Sequence, residues 1–282
     1  MNAGEIRIDA LLPPEMALRA EYLGVRKAEA PLLATFTLAL LAGAFISLGA
    51  VFSTTVAAGA SGVVPYGIVR LLAGLVFTVG LVLVIVGGAE LFTGNNLIVM
   101  AWAGRKVSSR GLLRNWGVVY AGNFVGAIGT VVLVFVSRQY TFGGGSVGTT
   151  ALATAAAKVD YGFVQALALG VLCNALVCLA VWLTFSARST IDRIAAIILP
   201  IAAFVAAGFE HSIANMYFIP IGLFIKAFDP TFTAASGVDV SRLTWQSFLL
   251  ANLLPVTVGN IIGGAVLVAA VYWFVFLHRS ER

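Results

Sequence analysis

The amino-acid sequence predicts an all-α integral membrane protein with six transmembrane helices, arranged as an inverted repeat of three plus three. The first observation is composition: 60% of the 282 residues are apolar, 10% are charged, and the mean hydropathy is +1.01. Soluble domains carry about 25% charged residues, so this chain could not cover a water-exposed surface, whereas a surface facing membrane lipid needs no charge. The net charge of +5 does not indicate nucleic-acid binding, because the basic residues lie between apolar runs.

The second observation is a set of six apolar runs, each long enough for a bilayer crossing of about 20 helical residues. They cover residues 31–58, 67–104, 116–137, 163–185, 194–225 and 245–277. The second and fifth are too long for one upright crossing, and each is interrupted by a polar cluster, with Glu90 in one and Glu210 in the other. We therefore expect helices 2 and 5 to be broken there. The runs form one channel domain, 31–277.

The third observation is a pair of motifs that recur in the two halves of the chain. Residues 88–95 (GAELFTGN) align with 208–215 (GFEHSIAN), where Gly, Glu and Asn coincide. Residues 122–126 (GNFVG) align with 259–263 (GNIIG). Three-helix halves of a six-helix chain necessarily have opposite orientations, so these matches predict an inverted repeat.

The segments outside the bundle, 1–30 and the tail 278–282, are expected in the cytoplasm. From Pro13 to Ala28 a Pro-Pro-Glu start and apolar residues along one face predict a short amphipathic helix lying on the membrane, a solvated tail being the alternative. Of the 17 Lys and Arg, twelve lie on the side of both termini and five on the other. The positive-inside rule therefore predicts a multi-pass protein of the cell (inner) membrane with both termini cytoplasmic.

The chemistry expected inside the bundle involves Glu90, Glu210 and His211. A carboxylate in mid-membrane costs about 3 kcal/mol on insertion scales, so we expect each glutamate to accept backbone N–H bonds at its helix break, with solute contact as the alternative. His211, beside a break, is predicted to lie on a pathway for an anion, which the positive ends of the half-helices would also favour. A core histidine is the alternative. One His beside one Glu lacks the converging ligands of a metal site, so no metal and no cofactor are predicted.

Several segments together resemble the formate/nitrite transporter family. They are 89–95 (AELFTGN), 174–182 (NALVCLAVW), 208–216 (GFEHSIANM) and 252–264 (NLLPVTVGNIIGG). The resemblance implies an aquaporin-like fold and a homopentamer with one pore per protomer. It also implies passage of small monovalent anions such as formate, nitrite or hydrosulfide. Because a histidine side chain titrates near neutral pH, we expect His211 to exchange a proton with the anion, so that transport depends on pH.

The resemblance also implies roles for individual residues. Leu91, Phe92 and Thr93 would form the loop that breaks the second helix, and His211 would be the central pore histidine. The apolar constrictions of the pore would be formed by Phe77, Leu81 and Phe204. Lys158 would be a vestibule lysine that attracts anions. The polar neighbours of the histidine would be Asn174, Glu210 and Asn260.

The function predicted is a channel or transporter for the anions of small weak acids. The segment 93–96 (TGNN) favours formate, and nitrite or hydrosulfide transport by the same pore remains the alternative. An aquaporin-type channel for neutral solutes is disfavoured because the Asn-Pro-Ala signatures are absent. An intramembrane hydrolase would need Ser212 paired with His211, but adjacent helical residues point about 100° apart. We therefore predict that the chain is not an enzyme.

Overall fold

The computed structural model describes residues 11–278, which fold into helices joined by short connections. In chain order the helices are α1 (Pro13–Glu29), α2 (Leu32–Ala57), α3 (Tyr66–Gly87), α4 (Val99–Ala103), α5 (Ser109–Val136), α6 (Ser146–Val159), α7 (Phe163–Thr184), α8 (Thr190–Ala207), α9 (Ser212–Phe228), α10 (Pro230–Ser236), α11 (Leu254–Ile261) and α12 (Val271–Phe276). The first ten residues and all but the first residue of the predicted tail lie outside the described residues.

Within residues 11–278, six helices are long and apolar enough to cross a membrane, which confirms the predicted fold class. They are α2, α3, α5, α7, α8 and a compound helix, Ser247–Phe276. The compound helix contains α11 and α12 together with two π-helical stretches, Ser247–Leu253 and Ile262–Ala270. The apolar α9 is shorter and continues the fifth run after its break.

The second and fifth apolar runs are both interrupted just before their glutamate. Gly88, with φ 78°, directly follows α3, and Gly208, with φ 79°, directly follows α8. Glycine adopts this left-handed conformation without steric cost, so these two residues fix where the helices end. After the first break the chain resumes as a 3₁₀ turn, Gly94–Ile98, followed by the five-residue α4, whereas α9 starts directly at Ser212.

Corresponding glycines bring helices close together in both halves. A Cβ added at Gly126 would run into the backbone carbonyl of Leu40, and one at Gly263 into that of Val171. The first pair joins α5 to α2, and the second joins the last span to α7. Small residues let membrane helices approach at backbone distance, so both halves are built around the same close crossing.

The helix α1 packs on the rest of the protein with its small residues, not with the apolar face that the sequence pattern predicted. Ala20 and Gly24 face the 3₁₀ turn and α4, and a Cβ at Gly24 would come within 3.0 Å of the Ala101 side chain. Leu18 and Tyr22 are exposed instead. Contact of this exposed face with the membrane surface stays a prediction.

Candidate functional site

Two cavities reach into the bundle from opposite ends of α3. Both are named after the predicted orientation of the bundle. The outer cavity, about 1040 Å³, is lined by the first half of α3 and by α6, and the inner cavity, about 340 Å³, by the second half of α3 and by α1. They share no lining residue within the described part of the chain. Closely packed protein therefore separates them.

The predicted constriction residues lie on both sides of this separation. Phe77 and Phe204 line the outer cavity, with ring centroids 5.7 Å apart at 83°, and Phe204 stacks on His211 at 5.8 Å and 22°. Leu81 and Leu91 line the inner cavity. Because Phe77 and Leu81 are about one helical turn apart on α3, the apolar barrier is roughly one turn thick on this helix.

Thr93 and His211, which the chain supplies from different breaks, meet between the two cavities. The Thr93 Oγ1 lies 2.9 Å from His211 Nε2, and both residues are buried. His211 caps α9, since its Nδ1 accepts the Ala214 N–H at 3.0 Å. A neutral ring must therefore carry its proton on Nε2, so His211 donates to the Thr93 hydroxyl oxygen and leaves the Thr93 O–H available as a donor.

The same contacts do not pair Ser212 with His211 in the way a hydrolase needs. Both ring nitrogens of His211 are engaged, one by Thr93 and the other by Ala214. The Ser212 Oγ is buried and has no hydrogen-bond partner among the described residues. A serine nucleophile must share a hydrogen bond with its base, and this pair does not.

A polar network joins Lys158 to Glu210 beside the second break. The Lys158 Nζ donates to Glu210 Oε1 at 2.6 Å, and the Asn215 Nδ2 donates to Oε2 at 2.7 Å. Asn215 also donates to the Asn252 Oδ1 at 2.7 Å, and Asn252 donates to the Lys158 carbonyl at 2.8 Å. The Glu210 side chain is only 2% exposed, so the lysine charge offsets the burial of the carboxylate.

The first break carries the same network built from corresponding residues. The Lys27 Nζ donates to Glu90 Oε1 at 2.8 Å, and Asn95 Nδ2 donates to Oε2 at 2.6 Å. Asn95 also donates to Asn115 Oδ1 at 2.9 Å, and Asn115 donates to the Lys27 carbonyl at 3.0 Å. The expectation that both glutamates accept backbone N–H bonds was wrong, because an ammonium group and a side-chain amide bind each carboxylate instead.

The broken backbone itself is held by one asparagine per half. The Asn123 Oδ1 accepts the Phe92 N–H at 3.0 Å, and the Asn260 Oδ1 accepts the Ser212 N–H at 2.9 Å. Each asparagine also donates to the carbonyl of the glutamate in its own break, at 2.9 Å in both halves. These bonds satisfy backbone groups that could not remain unpaired at membrane depth.

The two remaining predicted site residues support the centre from the side. The Asn174 Nδ2 donates to the Thr93 carbonyl at 3.3 Å and to the Asn260 carbonyl at 2.7 Å. The Phe92 ring packs on Tyr120, with centroids 4.9 Å apart, and lines neither cavity. Asn174 therefore contacts the centre directly, whereas the Phe92 side chain anchors the loop to α5.

Sequence reasoning missed four cations that line the cavities: Arg70 in the outer one, and Arg19, Lys27 and Arg193 in the inner one. The repeat contained the signal for Lys27, which lies five residues before α2 as Lys158 lies before α7. Arg70 donates to the carbonyls of Val205 and Ala206 at the end of α8. Since Lys158 is neutralised by its glutamate, Arg70 supplies a positive charge of the outer cavity without a carboxylate partner among the described ion pairs.

Comparison with known proteins shows to which family this chain belongs. A family profile described as "Formate/nitrite transporter" matches residues 14–274. The chain belongs to the formate/nitrite transporter family. The formate channel FocA of Escherichia coli K12 is 46% identical over 97% of both chains, and FocA of Haemophilus influenzae is 40% identical over 91% of this chain and 92% of its own.

Solved structures of this family superpose closely on the chain. A pentameric formate channel with formate bound matches with a TM-score of 0.82 at 46% identity, covering 87% of this chain and 98% of that one. A formate/nitrite transporter family ion channel matches with a TM-score of 0.75 at 28% identity, covering 93% and 98%. The chain therefore shares the six-span fold of these solved structures, and its relatives include proteins named formate channels.

Proposed function

We propose that this chain is a membrane channel for formate. The observation that carries the proposal is the Thr93–His211 hydrogen bond, 2.9 Å long, held between two cavities by apolar rings in a bundle similar to a formate-bound channel. A hydrogen-bond donor next to the Phe77 and Phe204 rings suits a small anion. The relatives named formate channels support the choice of solute.

Entry from the outer cavity depends on fixed positive charge. Arg70 lines that cavity, and Lys158 lies at its floor with its Nζ 5.4 Å from the Phe218 ring centroid. The Lys158–Glu210 pair has no net charge, so its contribution is a local hydrogen-bond donor rather than long-range attraction. Lys27 has the corresponding place at the inner cavity and is likewise neutralised, by Glu90. Arg19 and Arg193 also line that cavity, which gives the pathway positive charge at both mouths.

Passage of the centre requires that the anion lose water among apolar side chains. Such desolvation is unfavourable for a bare charge and much less so for a neutral acid. We assign the hydrogen bonds that replace water to the Thr93 hydroxyl, which is available as a donor, and to the His211 Nε2–H, which must first release the Thr93 oxygen. Protonation of His211 would place a proton on Nδ1 and break its bond to Ala214, so proton transfer at this ring is coupled to the first turn of α9.

The same pore is proposed to accept nitrite and hydrosulfide, which share the charge and small size of formate. We further propose a homopentamer with one pore per protomer, in lipid of the cell membrane, with both termini cytoplasmic. The similarity to a structure described as pentameric supports the assembly. The excess of Lys and Arg on one side of the bundle supports the orientation.

The test is formate uptake into proteoliposomes at an acidic and at a neutral pH, with nitrite and hydrosulfide as competitors. We expect uptake that is saturable, faster at the acidic pH because more of the neutral acid forms, and reduced by both competitors. Protein-free liposomes provide the background. Uptake equal to that background at both pH values would refute the proposed function, whereas formate uptake without competition would refute only the wider solute range.

A further inference from the structure

The carbonyl of Thr93 accepts hydrogen bonds from two side chains of α7, one of which is a thiol. The Cys178 Sγ donates to this oxygen at 3.3 Å, and the Asn174 Nδ2 donates to it at the same distance. All three residues are fully buried. The carbonyl lies in the irregular segment after the first break, where its only printed backbone partner is the Asn96 N–H at 3.4 Å. The two side-chain donors of α7 add to this long bond and help to fix how Thr93 faces His211.

A comparison of the two halves of the inverted repeat shows that this pair of hydrogen bonds to a carbonyl is present in one half only. Equivalent positions of α2 and α7 are identified by the backbone bond of each break glutamate, from Glu90 to Leu38 at 3.2 Å and from Glu210 to Leu169 at 3.3 Å. Five residues further along the helices, Gly43 corresponds to Asn174. Nine residues further along, Ser47 corresponds to Cys178.

Gly43 and Ser47, at those positions of α2, make different contacts. A Cβ at Gly43 would run into the Asn123 carbonyl, so this position serves the close crossing of α2 with α5. The Ser47 hydroxyl donates to the carbonyl of Gly43 within its own helix, at 2.7 Å. Neither reaches across to the opposite break. The donors of Asn174 and Cys178 are therefore an addition to the repeat, at the half that holds the threonine of the central pair.

The last span makes room for this pair of donors. A Cβ at Gly264 would run into the Asn174 Nδ2 and would come within 2.8 Å of the Cys178 Sγ. The corresponding position in the first half, four residues after Asn123, is Ala127. A glycine here fits an arrangement in which both side chains must point at one carbonyl rather than pack as ordinary helix neighbours.

We propose that Cys178 is a positioning residue of the channel, which together with Asn174 holds the Thr93 carbonyl so that the Thr93 hydroxyl meets His211. Cys178 does not touch the solute in this account. Its S–H bond limits the movement of Thr93 and thereby the width of the central contact. The proposal rests on the proposed function, because its effect is measured as selective formate transport.

The test compares Cys178→Ala and Cys178→Ser with wild type in proteoliposomes, using formate and acetate. Loss of one neutral hydrogen bond corresponds to about fivefold, so we expect the alanine variant to raise the half-saturating formate concentration about fivefold and to lower the formate-to-acetate rate ratio. The serine variant restores a donor of similar size and should stay close to wild type. Cys173→Ala, which removes the same atom from another position of α7, is the matched control.

The outcomes separate the two levels of the account. A wild-type protein that carries no formate would refute the proposed function itself. If wild type transports formate and Cys178→Ala behaves like Cys173→Ala, the positioning role is wrong. If Cys178→Ser is as impaired as Cys178→Ala, the hydrogen-bond donor is not what matters, and the position acts through packing alone. Should the alanine variant not assemble, Cys178→Val fills the space without a donor and takes its place in the same comparison.

Discussion

Replacing Lys158 by Met tests how the buried carboxylate of the second break is stabilised. The change leaves Glu210 with its bonds from Asn215 and Asn252 but without a positive charge. The Glu210 side chain is 2% exposed and the Lys158 side chain 14%. Removing one partner of a pair this deeply buried costs about 3–5 kcal/mol.

The equivalent change at the first break, Lys27→Met, provides an internal comparison. Here the Lys27 side chain is 34% exposed and the Glu90 side chain 14%, so water reaches both groups. Solvent-exposed ion pairs are worth about 1 kcal/mol or less. We therefore expect the two lysine variants to differ in stability by about 2–4 kcal/mol despite their matching geometry.

The assay is thermal unfolding of the purified protein in detergent. At about 2–4 °C per kcal/mol for a chain of this size, Lys158→Met should lower the melting temperature by roughly 10 °C and Lys27→Met by only a few degrees. Adding Glu210→Gln to Lys158→Met removes the unpaired charge and should recover most of the loss. Equal melting temperatures for both lysine variants, or no recovery in the double variant, would refute the reasoning.

Three further predictions concern packing, the constriction and the outer surface. Gly126→Ala meets backbone and should cost about 1–3 kcal/mol, whereas Gly129→Ala on the same helix has open space and should not lower the melting temperature. Phe204→Ala should raise acetate flux relative to formate flux, because it removes a ring that stacks on the central histidine. The Tyr140 hydroxyl bond lowers the pKa of Asp229, so its stabilisation is present at neutral pH and lost as pH falls; Tyr140→Phe should lower the melting temperature at neutral pH, by a margin that shrinks in acid.

The sequence was sufficient to predict the spans and where two of them break. A run of apolar residues has one dominant explanation in a chain with so few charges, and glycine before a glutamate marks the end of a helix at Gly88 and at Gly208. The π-helical stretches of the last span were not predictable. In a continuously apolar segment, an α-helix and a π-helix cannot be told apart by the spacing of apolar residues, because nearly every position is apolar.

The polar networks were only partly predictable, because they join residues far apart in the chain. Glu90 and its partner Lys27 are 63 residues apart, and Glu210 and Lys158 are 52 apart. Comparing the halves would have found Lys27 once Lys158 was singled out. No local pattern could show that Cys178 faces the carbonyl of Thr93, since a buried cysteine in an apolar helix is ordinarily a packing residue.

The measurement that tests the central claim most directly is formate flux through His211→Phe in proteoliposomes, across a pH series and beside wild type. Phenylalanine keeps the ring but removes both the Nε2–H donor and the cap of α9. A hydrogen bond to a charged group is worth about 1.5–3 kcal/mol, so the account predicts that the rate falls about tenfold or more. A variant with the wild-type rate and the wild-type pH dependence would contradict it.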